Sequence, residues 1–110
     1  MPGAIDCEID IAALERLRAL GEELVIVDVR EPWEREICAI EGSVGVPLGE
    51  LPARVGELRA ASTLVLVCHH GMRSLEAALW LRRQGLENAV SLKGGIDAWA
   101  SEREPGMRRY

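Results

Sequence analysis

Two kinds of apolar pattern alternate along the chain. Short unbroken runs appear at "LVIVD" (Leu24 to Asp28), "TLVLVC" (Thr63 to Cys68) and "AVSL" (Ala89 to Leu92). Runs of this length and aliphatic character predict strands buried on both faces. The segments between them carry helical signals. Asp10 can cap a first helix with Leu14, Leu17 and Leu20 on one face and Gly21 at its end. "EPWERE" and "LPARVGELRAA" place Pro32 and Pro52 where helices start. "GSVGVPL" reads as extended, with room for a short strand. "SLEAALWLRRQ" predicts a helix from Ser74 with Leu75, Ala78, Leu79 and the stem of Arg82 on one face. Gly85 ends it and Leu86 packs back. "KGGIDAWA" turns into a last short helix, and the polar tail "SEREPGMRRY" is expected to lie over the surface.

Strands alternating with helices imply an α/β domain with a mainly parallel sheet. In such sheets ligands sit beyond the carboxyl ends of the strands. Chain order alone puts Asp28, Cys68 and Lys93 at or just past those ends.

Composition narrows the picture. The chain has 110 residues, 48% hydrophobic and 28% charged, which fits one globular domain over 1–110. No apolar run approaches the roughly 20 residues of a membrane span, and "MPGAIDCEID" lacks a basic segment followed by an apolar one. The cytoplasm is therefore the expected compartment, with no membrane partner. A net charge of −5 argues against a nucleic-acid partner. Cys7, Cys38 and Cys68 lie far apart and are expected to be free thiols, the first two structural or incidental.

The stretch "LVLVCHHGMRS" holds the candidate chemistry. Cys68 can be a buried thiol, a metal ligand or a nucleophile. Three consecutive residues, Cys68, His69 and His70, point apart, whereas zinc ligands come in spaced pairs, so no metal is expected. Gly71 permits a tight turn into the next helix, and the loop can aim N–H groups inward as an anion nest, with Arg73 adding a charge. A helix N-terminus contributes about 0.3–2 kcal/mol and each inward N–H to a charged acceptor about 1.5–3 kcal/mol. Those terms suffice to hold an anionic sulfur, which favours the nucleophile. A general-base role for His69 or His70 is the alternative to a loop-packing one.

Four motifs in order, "VDVREPWE" (Val27 to Glu34), "AIEGSVGVPL" (Ala39 to Leu48), "CHHGMRS" (Cys68 to Ser74) and "KGGIDAW" (Lys93 to Trp99), make the chain resemble a single-domain rhodanese-like sulfurtransferase. The resemblance implies a five-stranded, mainly parallel sheet flanked by helices on both faces. It implies that Cys68 takes a sulfane sulfur from a donor such as thiosulfate, becomes a persulfide and passes the sulfur to a thiophilic acceptor. It places substrate at the loop His69, His70, Gly71, Met72 and Arg73, with Asp28, Arg30 and Ser74 in support and no cofactor. Glu34, Gly94, Gly95 and Trp99 are expected to support the fold. His69 stands where many thiosulfate-using members carry arginine, and Cys38-Ala39 where Gly-His is common. The partners implied are a small-molecule or protein sulfur donor and acceptor. The competing readings are a persulfide relay or binding module working with a protein, and a cysteine-based phosphatase or arsenate reductase. Tyrosine-phosphatase-type loops keep five residues between cysteine and arginine; four stand between Cys68 and Arg73, which suits a sulfur atom better than a phosphate.

Overall fold

Strand parity decides which face each side chain of the sheet meets. In the computed structural model, which describes residues 7–21 and 23–110, five strands form one sheet. They are β1 (Glu8–Ile9), β2 (Leu24–Asp28), β3 (Val44–Gly45), β4 (Thr63–Val67) and β5 (Ala89–Leu92). Their spatial order is β1-β5-β4-β2-β3, and each neighbouring pair runs parallel. The five-stranded parallel sheet is the one expected. The opening "MPGAID", read above for a leader pattern, lies outside the described residues.

In β4 the side chains alternate between two cores. Leu64 and Leu66 pack with Leu51, Leu58, Ala77 and Leu81 on one face. Val65 and Val67 pack with Ile11, Leu14, Ile96 and Trp99 on the other. Helices α3 (Leu51–Leu58) and α4 (Met72–Arg83) therefore cover the first face, and α1 (Ile11–Ala19) and α5 (Gly95–Glu102) the second. All four β4 side chains are fully buried, each contributing about 1.5–3 kcal/mol by removal from water. The same parity carries Cys68 onto the face of Leu64 and Leu66, under the start of α4.

The helix signals hold with three corrections. Asp10 caps α1 through a 2.8 Å bond from the Ala13 N–H. The helix stops at Ala19, however, so Leu20 is left 73% exposed rather than packed beside Leu14. Helix α2 (Pro32–Ile37) begins at its proline as expected. Helix α4 starts at Met72, two residues before Ser74, because Gly71 at φ 105° turns the chain straight into it. Its buried face is then Ser74, Ala77, Ala78 and Leu81, and Leu79 is 37% exposed. Among the described residues no helix is long and apolar enough to cross a membrane.

Strand order reverses beside Cys68. The chain leaves β2 for β3 on one side and comes back to β4 on the other, with Asp28 paired to Val67. Such reversals open a crevice at the strand ends, where α/β sheets bind ligands.

Candidate active site

Cys68 follows β4 directly and is 1% exposed. Its Sγ accepts from the Gly71 N–H at 3.1 Å and the Ser74 N–H at 3.3 Å. The Ser74 hydroxyl lies 3.3 Å from the same sulfur, and it shares a 2.7 Å hydrogen bond with the hydroxyl of Ser91 on β5. Both serines are fully buried. The sulfur thus sits at the N-terminus of α4, where first-turn N–H groups have no intrahelical partners.

The loop carbonyls are held away from the sulfur by α5. The Ile96 N–H donates to the Cys68 carbonyl at 2.8 Å, and the Asp97 N–H to the His69 carbonyl at 3.1 Å. Gly95 makes this approach possible: a Cβ there would overlap both carbonyls, and its φ is 62°. The "KGG" turn therefore acts on the loop as well as on the fold.

Arg73 turns to a partner outside the loop. Its two terminal nitrogens hold the two Glu34 oxygens at 2.9 and 3.0 Å. Glu34 is buried and also accepts from the Glu31 N–H at 2.8 Å. The Arg73 hydrogen bonds hold the Glu34 carboxyl down at about 2 against the opposing cost of burial. The same pairing raises the Arg73 guanidinium above its ordinary range.

Asp28 and Arg30 form a buried pair at the neighbouring strand end. Arg30 Nη2 lies 2.7 Å from Asp28 Oδ2 and also donates to the Cys38 carbonyl at 2.7 Å. Burial opposes the Arg30 charge, but its bonds to Asp28 and Tyr110 outweigh that cost and raise its pKa. Arg35 adds a 3.1 Å contact to Asp28. Removing one partner of such a pair costs about 3–5 kcal/mol, so it fixes the edge on which the Cys68 loop stands.

The expectation that consecutive side chains point apart does not hold for the two histidines: His69 and His70 stack on each other at 4.0 Å between centroids, because the tight loop turns both rings to one side. Burial, and then the neighbouring His70, lowers the His69 pKa, so the neutral ring dominates near pH 7. His69, His70 and Asp97 each offer one ligand-type atom within 4.8 Å of the others, but Arg109 already holds the Asp97 carboxylate at 2.7 Å. Met72 is 75% exposed at the loop rim. Lys93 is exposed beyond β5.

Two functional neighbours escape a reading of the sequence. Glu34 pairs with Arg73 across 39 positions, and Tyr110, in the tail expected to lie over the surface, reaches Arg30, Glu34 and His69. The local signal for Tyr110 is a ring-bearing residue in an otherwise polar tail. A cavity of about 520 Å³ between α3 and α4 includes none of the Cys68 loop among its lining residues.

A parallel sheet with a buried thiol cradled where strand order reverses defines the class. The chain belongs to the Rhodanese-like domain family, whose model matches residues 11–102. It is 34% identical over 93 residues to a "Sulfurtransferase" of Allochromatium vinosum, covering 84% of this chain and 87% of that protein. It is 38% identical over 92 residues to "Probable adenylyltransferase/sulfurtransferase MoeZ" of Mycobacterium tuberculosis, covering 82% of this chain and 24% of that protein. The chain thus spans about a quarter of the mycobacterial relative's length. Among solved structures, a rhodanese-related protein from Thermoplasma volcanium superposes with a TM-score of 0.78 at 33% identity, covering 89% of this chain and 94% of that one.

Proposed function

We propose that the protein is a sulfurtransferase that carries a sulfane sulfur on Cys68. The observation that carries this reading is the Cys68 sulfur itself, held by two backbone N–H groups and a hydroxyl within 3.3 Å. Donors aimed at one atom stabilise negative charge on it. The Cys68 thiolate attacks the outer sulfur of a donor such as thiosulfate. The donor S–S bond breaks and sulfite leaves with its electron pair. The Cys68 persulfide then gives its outer sulfur to an acceptor nucleophile, and the Cys68 thiolate is restored. The loop from His69 to Arg73 surrounds the transferred atom, Ser74 supports the sulfur from below, and Asp28 and Arg30 brace the edge.

The Arg73 geometry favours sulfur over an oxyanion. Phosphatase-type chemistry needs the loop arginine to grip the substrate oxygens, whereas the Arg73 charge is already balanced by Glu34, which takes one N–H from each terminal nitrogen. A relay between proteins is the second reading, favoured by an exposed apolar rim: Met72 is 75% and Trp33 58% exposed. Sulfurtransferase names among the relatives support either form, with a small-molecule or a protein partner.

The test is intact mass after incubation with thiosulfate. Wild type should gain one sulfur atom that cyanide removes, and Cys68→Ser should gain none. Equal gain by both, or gain by neither, removes Cys68 from the role. Ready loading with slow turnover on thiosulfate and cyanide would favour the relay form.

A further inference from the structure

Tyr110 makes contacts that a solvent-facing tail does not need. Its hydroxyl accepts from Arg30 Nη1 at 2.9 Å and donates to Glu34 Oε2 at 2.7 Å. Its ring stacks on His69 at 4.0 Å with planes 15° apart, and Trp33 meets it edge-on at 5.9 Å. The tail is fixed on the way there. Met107 packs against the α1/α5 core, and Arg109 reaches Asp97 at 2.7 Å and Ser101 at 3.0 Å.

These contacts converge on the Cys68 loop from both ends. His69 follows the cysteine. Arg73, at the far end, is held by the same Glu34 carboxylate that accepts from Tyr110. Gly71, whose N–H reaches the sulfur, lies between these fixed points, and Ser74 follows directly after the second. The partners of the Cys68 sulfur are Gly71 and Ser74, so Tyr110 acts on the sulfur only through the loop.

We propose that Tyr110 is a positioning residue for sulfur transfer, fixing the Cys68 loop at one end by stacking on His69 and at the other through Glu34 and Arg73. The proposal rests on the reading of Cys68 as the sulfur carrier. It separates the side chain into two functions: the ring serves the His69 end and the hydroxyl the Arg73 end.

Two variants of the full chain separate them. Tyr110→Phe keeps the ring and removes the hydroxyl; Tyr110→Leu removes both. Amide hydrogen exchange is read at Gly71 and Ser74, with Val65 and Leu66 of β4 as reference amides. Exchange at Gly71 and Ser74 should accelerate about tenfold in Tyr110→Leu and less in Tyr110→Phe, with the reference amides unchanged. In the thiosulfate–cyanide assay kcat should fall by about three- to tenfold in Tyr110→Leu with KM unchanged, and Tyr110→Phe should lie between it and wild type. Unchanged exchange at Gly71 and Ser74 overturns the proposal. So does equal acceleration at the β4 amides, which marks a merely structural anchor. A raised KM at constant kcat also overturns it, because Tyr110 would then be touching the donor. If wild type gains no cyanide-removable sulfur, the reading of Cys68 as the sulfur carrier fails, while the exchange pattern still decides whether Tyr110 braces the loop.

Discussion

Replacing Ser74 with alanine tests how the buried hydroxyl chain serves the sulfur. A thiolate only accepts hydrogen bonds, so an anionic Cys68 orders the chain in one direction. Ser74 Oγ–H then donates to the sulfur across 3.3 Å, and Ser91 Oγ–H donates to Ser74 across 2.7 Å. Both serines are fully buried. Ser74→Ala removes the middle link and leaves Ser91 without that partner, at a cost of about 1–3 kcal/mol. Ser91→Ala leaves Ser74 its sulfur partner and should cost about 0.5–1.5 kcal/mol. In the double variant the orphaned hydroxyl is gone, so the two costs should fall short of additive by at least about 0.5 kcal/mol. The hydrogen bond to a charged sulfur is worth about 1.5–3 kcal/mol, so sulfur loading should slow by about tenfold or more in Ser74→Ala. Urea unfolding at constant m-value reads the stability differences, and single-turnover mass spectrometry reads loading. Equal costs for the two single variants, or strict additivity, would refute the directed chain. Loading by Ser74→Ala at the wild-type rate would remove the hydroxyl from the chemistry.

Three further outcomes follow from the same geometry. Gly95→Ala should destabilise by about 2–4 kcal/mol, combining an unfavourable positive φ with overlap on the Cys68 and His69 carbonyls; Gly56→Ala, in open space on α3, should instead stabilise by about 0.5–1 kcal/mol, and thermal unfolding that ranks the two the other way contradicts the placement of Gly95. Glu34, held by Arg73 near 2 against an ordinary 4.5, should contribute about 3 kcal/mol that is present above pH 4.5 and is lost as pH falls toward 2; acid unfolding of Glu34→Gln should lack that dependence, and identical profiles would argue against the pairing. Tyr110 is the single tyrosine, and burial, opposed by Arg30 and aided by Glu34, pushes its phenol up to about 12. Its phenolate absorbance should therefore rise near pH 12, with any stabilisation from the docked phenol present below pH 10 and lost as pH passes 12; an inflection at 10 would mean the ring is not docked.

What could be read from the sequence was what is local in it. The runs at β2, β4 and β5 announced themselves because strands buried on both faces tolerate no polar interruption. The Cys68 loop was legible because its cysteine, its glycine and the N-terminus of α4 lie within a few residues. Strand β1 leaves no signal, because two residues on a sheet edge show no period. The start of α4 lies ahead of its sequence signal at Ser74, because a left-handed glycine lets a helix begin without a Ser, Thr or Asp cap. Leu20 and Leu79 fit helical spacing but fall where a helix has ended or where its buried face has turned away. The Glu34–Arg73 pair and the Tyr110 contacts depend on which segments the topology brings together, and no spacing rule encodes a separation of 39 or 76 positions. Glu34 reads from the sequence as support for the fold, and in the structure that support and its hold on Arg73 of the loop come from one buried carboxylate.

The charges around the loop leave the N–H groups, rather than the arginine, to face the Cys68 sulfur. Arg73 is neutralised by Glu34, Arg30 by Asp28, and His69 favours its neutral form near pH 7. An anionic sulfur at Cys68 is therefore met chiefly by dipoles: the Gly71 and Ser74 N–H groups, the Ser74 hydroxyl and the N-terminus of α4. Dipoles are effective only when they cannot turn away, because reorienting them costs what their attraction gains. Each contact behind those donors serves that rigidity. Helix α5 holds the carbonyls back, Ser91 holds the hydroxyl, and Glu34 with Tyr110 holds the loop ends. On the proposed reading of Cys68 as the sulfur carrier, fixed dipoles also suit the second step, because the Cys68 sulfur becomes anionic again as the outer sulfur passes to the acceptor.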